Sequence, residues 1–411
     1  MTTPDSATTS HPQFASLMPP APEASAKRPL WRRALRPLAL FVAGGLFGVG
    51  VARLGLPALE ALPPGTGLAL LAGFFLSLWP HIVLHEAGHA LAGLSRGMHA
   101  IAFGVGPLRL ERGSDDRWRW RYGGGVRGIG GFAALLPRGE RGLSRLDQTV
   151  FLLGGPLANL VTAALCFALA LWLPMSPWLA GAALGIALAA AVMGLGNLLP
   201  MHMDGWRSDG RGLLDLGRRT PDAALQLQIN QLMALSLANV RPRDWPPASI
   251  PTVDTGIASS GLQQSARMLR LSHAVDRRDA GAARPQAETL ATAFAKAPAA
   301  FRPSIAVMLA SHAALLVGDR ALVAAWRAHC DGGLMDLSPY RAWLDAETAR
   351  LDGDAAVVRV HLKQARALSE RIPDAASRTV FDERLAELGT SHVDSAHPVT
   401  SEAQRNPVKH A

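Results

Sequence analysis

The chain has 411 residues, 49% of them hydrophobic and 18% charged, a balance too apolar for an ordinary soluble protein and long enough for more than one domain. Its net charge of +9 comes from basic residues that flank apolar runs rather than forming one block, which fits membrane topology and argues against a nucleic-acid partner. Two cysteines, Cys166 inside an apolar run and Cys330 far downstream, exclude a disulfide framework and a thiolate metal site.

Residues 1–29 are rich in Pro, Ser, Thr and Ala without apolar periodicity and read as a disordered N-terminal segment. The basic cluster Lys27, Arg28, Arg32, Arg33 and Arg36 comes late, and no small-residue cleavage site follows, so no signal peptide is expected. Leu38 to Ala52, Gly-rich and closed by Arg53, is short for a span but is expected to be the first membrane helix. Gly67 to Leu94 is amply long for the second, with Pro80 expected to kink it.

Near the end of that second helix lies His85-Glu86-Ala87-Gly88-His89. Residues at i and i+4 share a helix face, so the two imidazoles can bind one zinc ion together. Glu86, one position after the first, can then serve as general base toward water at the metal. From Leu54 to Ser95 there is no Lys or Arg, and the only carboxylates are Glu60 and Glu86. An ionisable group at membrane depth costs roughly 2.5–3.5 kcal/mol on insertion scales, so this cluster calls for a reason such as metal chemistry.

Arg117-Trp118-Arg119-Trp120-Arg121-Tyr122 alternates strictly, a strand pattern with one aromatic and one cationic face. Ile101 to Leu110 and Val126 to Leu136 are Gly-interrupted and strand-compatible, so a small β-hairpin insertion is expected here. Arg interleaved with Trp can stack on single-stranded nucleic acid, but beside a membrane an aromatic belt is the better fit.

Gln148 to Met203 contains no Asp, Glu, Lys or Arg. Pro174-Met175-Ser176-Pro177 divides it into a third helix, Val150 to Leu173, and a fourth, Trp178 to Leu199. The Arg-rich segments are those before the first helix, between the second and third, and after the fourth. The positive-inside rule therefore puts both termini and the HExxH end of its helix in the cytoplasm.

After Arg219 the chain reads as soluble and helical. Gly318-Asp319-Arg320-Ala321-Leu322-Val323 recurs as Gly353-Asp354-Ala355-Ala356-Val357-Val358, a spacing close to that of tetratricopeptide units. The expected organisation is a disordered segment 1–29, a membrane-embedded domain 30–218, a cytoplasmic all-α domain 219–388 and a polar tail 389–411.

A catalytic zinc needs a third protein ligand and an open position. Gly155-Pro156 with Asn159 follows in the next helix, and Asn197-Leu198-Leu199-Pro200 leads to two Asp-Gly pairs, Asp204-Gly205 and Asp209-Gly210. Together with Phe103-Gly104-Val105-Gly106-Pro107 and Gly130-Gly131-Phe132, this resembles the site-2 protease family over roughly Gly67 to Leu214. The resemblance implies a zinc intramembrane metalloprotease that cleaves a membrane-spanning protein. It implies Glu86 as base and Asn159 and Asn197 as residues that hold substrate or active-site geometry.

Ser208-Asp209-Gly210 resembles a variant third motif of some bacterial members. It points to Asp209 as third ligand beside His85 and His89, with Asp204 as the alternative. His202 and His81 are further candidates better read as interface or packing residues. The peptide-binding PDZ module of many relatives has no visible counterpart. The expected partners are a transmembrane protein substrate, the lipid bilayer and a cytoplasmic protein bound by the helical domain. Two other readings remain open: a non-proteolytic membrane scaffold acting through the C-terminal domain, and a metal transporter. The intact Glu86 weighs against the first, and the scarcity of ionisable groups in the spans against the second.

Overall fold

Length and apolar character bring three helices together as a bundle: α1 (Thr66–Ser95), α2 (Arg145–Trp172) and α3 (Pro177–Leu198). The computed structural model describes residues 12–20, 63–122, 130–137, 142–203, 206–252 and 259–395. Among these residues, the three helices are the ones long and apolar enough to cross a membrane. The expected first span, Leu38 to Ala52, lies outside them. At 1.5 Å per residue α1 is roughly 45 Å long, more than the hydrocarbon thickness of about 30 Å.

Local sequence starts each helix. Ser144 and Asp147 form a capping box at α2, and Ser176 caps α3 with Pro177 in its first turn. Phe75, Leu76, Trp79, Leu165, Trp172 and Val192 stay exposed on the outside, where lipid would cover them. Inside, small residues let the backbones approach closely. A Cβ on Gly88 would strike the Gly154 carbonyl, and one on Gly154 would strike that of Gly88, so α1 and α2 cross there at backbone contact. Helix α1 runs on through Pro80.

Between α1 and α2 the chain forms a four-stranded antiparallel sheet in the order β3-β2-β1-β4. Its strands are β1 (His99–Val105), β2 (Leu108–Arg112), β3 (Trp118–Tyr122) and β4 (Gly131–Leu136). This is larger than the expected hairpin. The stretch from Ile101 to Leu110 is two strands, because Gly106 takes a φ of 59° and reverses the chain before Pro107. β4 then pairs with β1, with Phe103 opposite Ala133 and Gly104 opposite Phe132.

The alternation in β3 is realised as read. Trp118, Trp120 and Tyr122 are exposed, while Arg119 and Arg121 turn the other way. That cationic face meets the C-terminal helices. Arg121 Nη2 donates to the Leu334 carbonyl at 3.1 Å, and Arg109 Nη1 donates to the same carbonyl at 2.9 Å. Glu111 accepts from the Asp336 backbone N–H at 3.0 Å, and the Ser114 N–H reaches the carbonyls of Glu370 and Ile372.

Beyond α3, a two-residue ladder β5 (His202–Met203) and β6 (Trp206–Arg207) leads into α4 (Asp209–Arg218) and α5 (Pro221–Leu237). Then follow three helix pairs: α6 (Ser260–Asp276) with α7 (Ala280–Ala293), α8 (Arg302–His312) with α9 (Arg320–Arg327), and α10 (Ser338–Leu351) with α11 (Ala355–Leu368). Helix α12 (Ala375–Ser395) closes the domain and extends past residue 388, into what reads in sequence as polar tail.

The recurring Gly-Asp dipeptides make equivalent turns. Gly318 and Gly353 have φ of 71° and 77°, and Asp319 and Asp354 cap the following helices. A third copy is concealed at Arg278-Asp279, where a non-glycine residue takes a φ of 56° and Asp279 caps α7.

One stretch of the supposed disordered leader is ordered. Pro12–Leu17 forms a 3-10 turn whose Leu17 is buried in the helical core and whose Leu17 carbonyl accepts from Trp326 Nε1 at 2.8 Å. Apolar Phe14, Leu17 and Met18, sparse within a polar segment, are enough to seat it.

Buried His312 gives this domain a pH dependence. Burial and the nearby Arg284 push its pKa down from 6.5 to about 4. The unfolded chain therefore takes up a proton first, so stability is intact above pH 6.5 and falls as pH drops toward 4. We expect up to about 3 kcal/mol to be lost over that window. Thermal unfolding of the detergent-solubilised chain between pH 7 and 4 should show it, with a flatter profile in His312→Gln.

Candidate metal centre

One helical turn separates His85 from His89, and both imidazoles are buried between α1 and α2. Their Nε2 atoms lie 3.1 Å apart. Asp209 Oδ2 lies 3.2 Å from His85 Nε2 and 3.4 Å from His89 Nε2. Zinc bonds of about 2.0–2.1 Å in tetrahedral geometry put donor atoms roughly 3.3–3.4 Å apart. The three atoms thus form one face of a tetrahedron of the right size, built from two nitrogens and one carboxylate oxygen, a donor set suited to zinc.

Of the two imidazoles, His89 is held from behind by the main chain. His89 Nδ1–H donates to the Phe151 carbonyl at 2.7 Å, which leaves Nε2 as acceptor toward the centre. Gly155 makes room for both rings: a Cβ there would collide with His89 Nε2 and come within 2.7 Å of His85 Nε2.

Asp209 arrives from far along the chain because the β5–β6 ladder folds the backbone back against the end of α3. There Ser208 donates through Oγ to the Leu199 carbonyl, accepts from the Met201 N–H at 3.0 Å and caps α4. Asp209 is the first residue of α4, where a carboxylate is also favoured by the helix dipole. Burial works toward its neutral form, but the hydrogen bonds with His85 and His89 outweigh it and hold its pKa below the ordinary value.

Glu86 is buried next to the two histidines and lies under strand β4, where the Ala133 backbone bonds to its carboxylate. Gly131 leaves space for it, since a Cβ there would stand 2.8 Å from Glu86 Cγ. A cavity of about 350 Å³ borders this region, lined by Ala133, Ala134 and Leu135 of β4, Phe151 and Leu152 of α2, and Arg207 and Ser208.

The other sequence candidates are not part of the triad, although Asn159 touches it. Asn159 is fully buried with Nδ2 3.3 Å from His85 Nδ1, a position suited to holding the ligand's geometry. Asn197 is half-buried and donates to the Met193 carbonyl of its own helix at 3.1 Å. His81 is buried one turn before His85. His202 is exposed near Asp215 and Asp222, but Asp215 is already matched by Arg207 and Arg211 at 3.4 and 3.0 Å. Asp204 lies outside the described residues. Sequence reasoning missed the Phe151 carbonyl and the Ala133 backbone, which act through main-chain atoms and carry no side-chain signal.

An HExxH helix completed by a distant aspartate inside an apolar bundle defines a membrane metallohydrolase. In agreement, the family model for peptidase family M50 matches residues 73–324, more than half of the chain. The chain belongs to that family, the site-2 proteases, which are zinc metalloproteases of membranes. No curated protein and no solved structure matches it.

The close fit at Gly155 gives a direct test of the centre. Gly155→Ala forces a methyl group against both imidazoles, and overpacking of this kind costs about 1–3 kcal/mol. We expect the variant to remain membrane-inserted and helical while its zinc content after dialysis falls well below that of the unaltered chain.

Proposed function

We propose that this chain is a zinc-dependent intramembrane endopeptidase, with His85, His89 and Asp209 as metal ligands and Glu86 as general base. The observation that carries the reading is the triangle of ligand atoms at zinc-sized separations, with Glu86 adjoining it in a bundle otherwise poor in ionisable groups. Zinc, when bound, would acidify water and polarise the scissile carbonyl. Glu86 would accept the water's proton and pass it to the departing amine. The Ala133 backbone and Gly131 hold that carboxylate in place. Asn159 serves the ligand geometry, and Asn197, the less buried of the two asparagines, is the one able to meet substrate.

The substrate is a membrane-spanning protein. A helix hides its carbonyls in its own hydrogen bonds, so the segment to be cut must unwind first. Strand β4 is the sheet edge that touches Glu86, and the neighbouring cavity lines it, which supports strand addition of the unwound segment at this edge.

The setting is an inner membrane with both termini in the cytoplasm. The Arg-rich sheet, α4 and the helical domain all lie at the HExxH end of the bundle. Residues 12–20 pack on that same domain, whereas α1 begins at the opposite end, with Gly65 against Trp178. Trp118, Trp120 and Tyr122 form an aromatic face suited to the bilayer interface. The helical domain is free to bind a cytoplasmic protein.

Two outcomes test the enzyme reading. Purified chain should carry one zinc, lost in His85→Ala and His89→Ala and kept in Glu86→Gln, which should be inactive; Asp209→Ala should impair both metal and activity more than Asp204→Ala. In detergent, a model span with Gly or Pro near its cytoplasmic end should be cut faster than a Leu-rich span. Equal cleavage of the two, or cleavage surviving in Glu86→Gln, refutes the mechanism.

A further inference from the structure

Among the described residues of the membrane helices, three side-chain atoms are buried without a hydrogen-bond partner, and they form a single cluster: both ring nitrogens of His81 and Oδ1 of Asn159. His81 is 3% exposed, and the Ile186 carbonyl of α3 and the Asn159 side chain lie against its ring. Asn159 in turn points Nδ2 at His85 Nδ1, 3.3 Å away. With His85 Nε2 turned to the ligand triangle, Nδ1 must carry the ring proton, so this contact sets one donor against another.

A half-turn of the Asn159 amide, whose two ends are isosteric, resolves every one of these conflicts. Oδ1 then accepts from His85 Nδ1–H, and Nδ2 faces His81. His81 accepts with one ring nitrogen and donates with the other toward Ile186. His89 needs no such chain, because the Phe151 carbonyl already holds its Nδ1.

We propose that His81 and Asn159 are positioning residues: a hydrogen-bonded chain from the Ile186 carbonyl through His81 and Asn159 fixes the tautomer and orientation of His85 and so raises the centre's affinity for zinc. The proposal rests on His85 being a ligand. It assigns a task to a histidine that is costly to bury in a bilayer without partners and that lies outside the HExxH motif.

Outer partners of metal-bound histidines change affinity by about 10–100-fold when removed. Zinc competition against a fluorescent chelator, on the full-length chain in detergent, should show a loss of that order in His81→Leu and in Asn159→Leu. His81→Gln, which keeps a donor and an acceptor, should restore most of it. Because His81 acts through Asn159, the double variant should bind no more weakly than Asn159→Leu alone. Should leucine at position 81 disturb folding, His81→Phe, close in shape, makes the same comparison. Unchanged affinity in folded His81→Leu or His81→Phe, or losses that add in the double variant, overturns the proposal. If His85→Ala keeps its zinc, the ligand reading beneath it falls instead.

Discussion

Everything near the candidate centre depends on bringing His85 Nε2, His89 Nε2 and Asp209 Oδ2 within 3.1–3.4 Å of one another at a bundle of apolar helices. The protein fixes their orientation with its own backbone and side chains. It does so by close helix packing. Gly88 and Gly154 let α1 and α2 touch, Gly155 gives both rings their space, and the Phe151 carbonyl holds one ring from behind. Larger residues at these points would separate the helices, and the ligand atoms with them.

The sheet ties this centre to the rest of the molecule. β4 lies over Glu86 through Gly131 and Ala133, and β1 joins it to β2. The polar face of β2 and β3, with Arg109, Glu111 and Arg121, is bonded to the loop at Gly333–Asp336 between α9 and α10. A displacement of the helical domain would therefore be felt at the strand that lies over Glu86. The exposed Trp118, Trp120 and Tyr122 on the opposite face leave that side free for the membrane interface.

Much of this was legible in sequence because the relevant signals are local. Apolar length marked the three helices, i and i+4 spacing put His85 and His89 on one face, and strict alternation in β3 gave its two faces. Asp209 could be reached only through the resemblance, since its approach depends on the β5–β6 ladder and the Ser208 bonds. What escaped was non-local or made by the main chain. The docking of residues 12–17 depends on three apolar side chains in a polar segment. The similar turn before α7 has Arg278 where the turns before α9 and α11 have Gly318 and Gly353, so no recurring dipeptide marks it. The split of β1 from β2 turned on the φ of one residue, Gly106.

Charge explains why such a centre can persist at membrane depth. As metal ligands His85 and His89 would be neutral, which would leave the Asp209 and Glu86 carboxylates as the charges of the set, and the sequence has no Lys or Arg between Leu54 and Ser95. A divalent cation held by the triad would offset that charge. The desolvation penalty grows steeply with net charge, so a neutral set is far cheaper to bury than the bare carboxylates. Asp209 meets this condition from the aqueous end of the bundle, on a short helix whose dipole favours its negative form. A third ligand supplied from within a span would have added its own insertion cost. Recruiting it from the start of α4, beyond α3, leaves α1 to supply His85, Glu86 and His89.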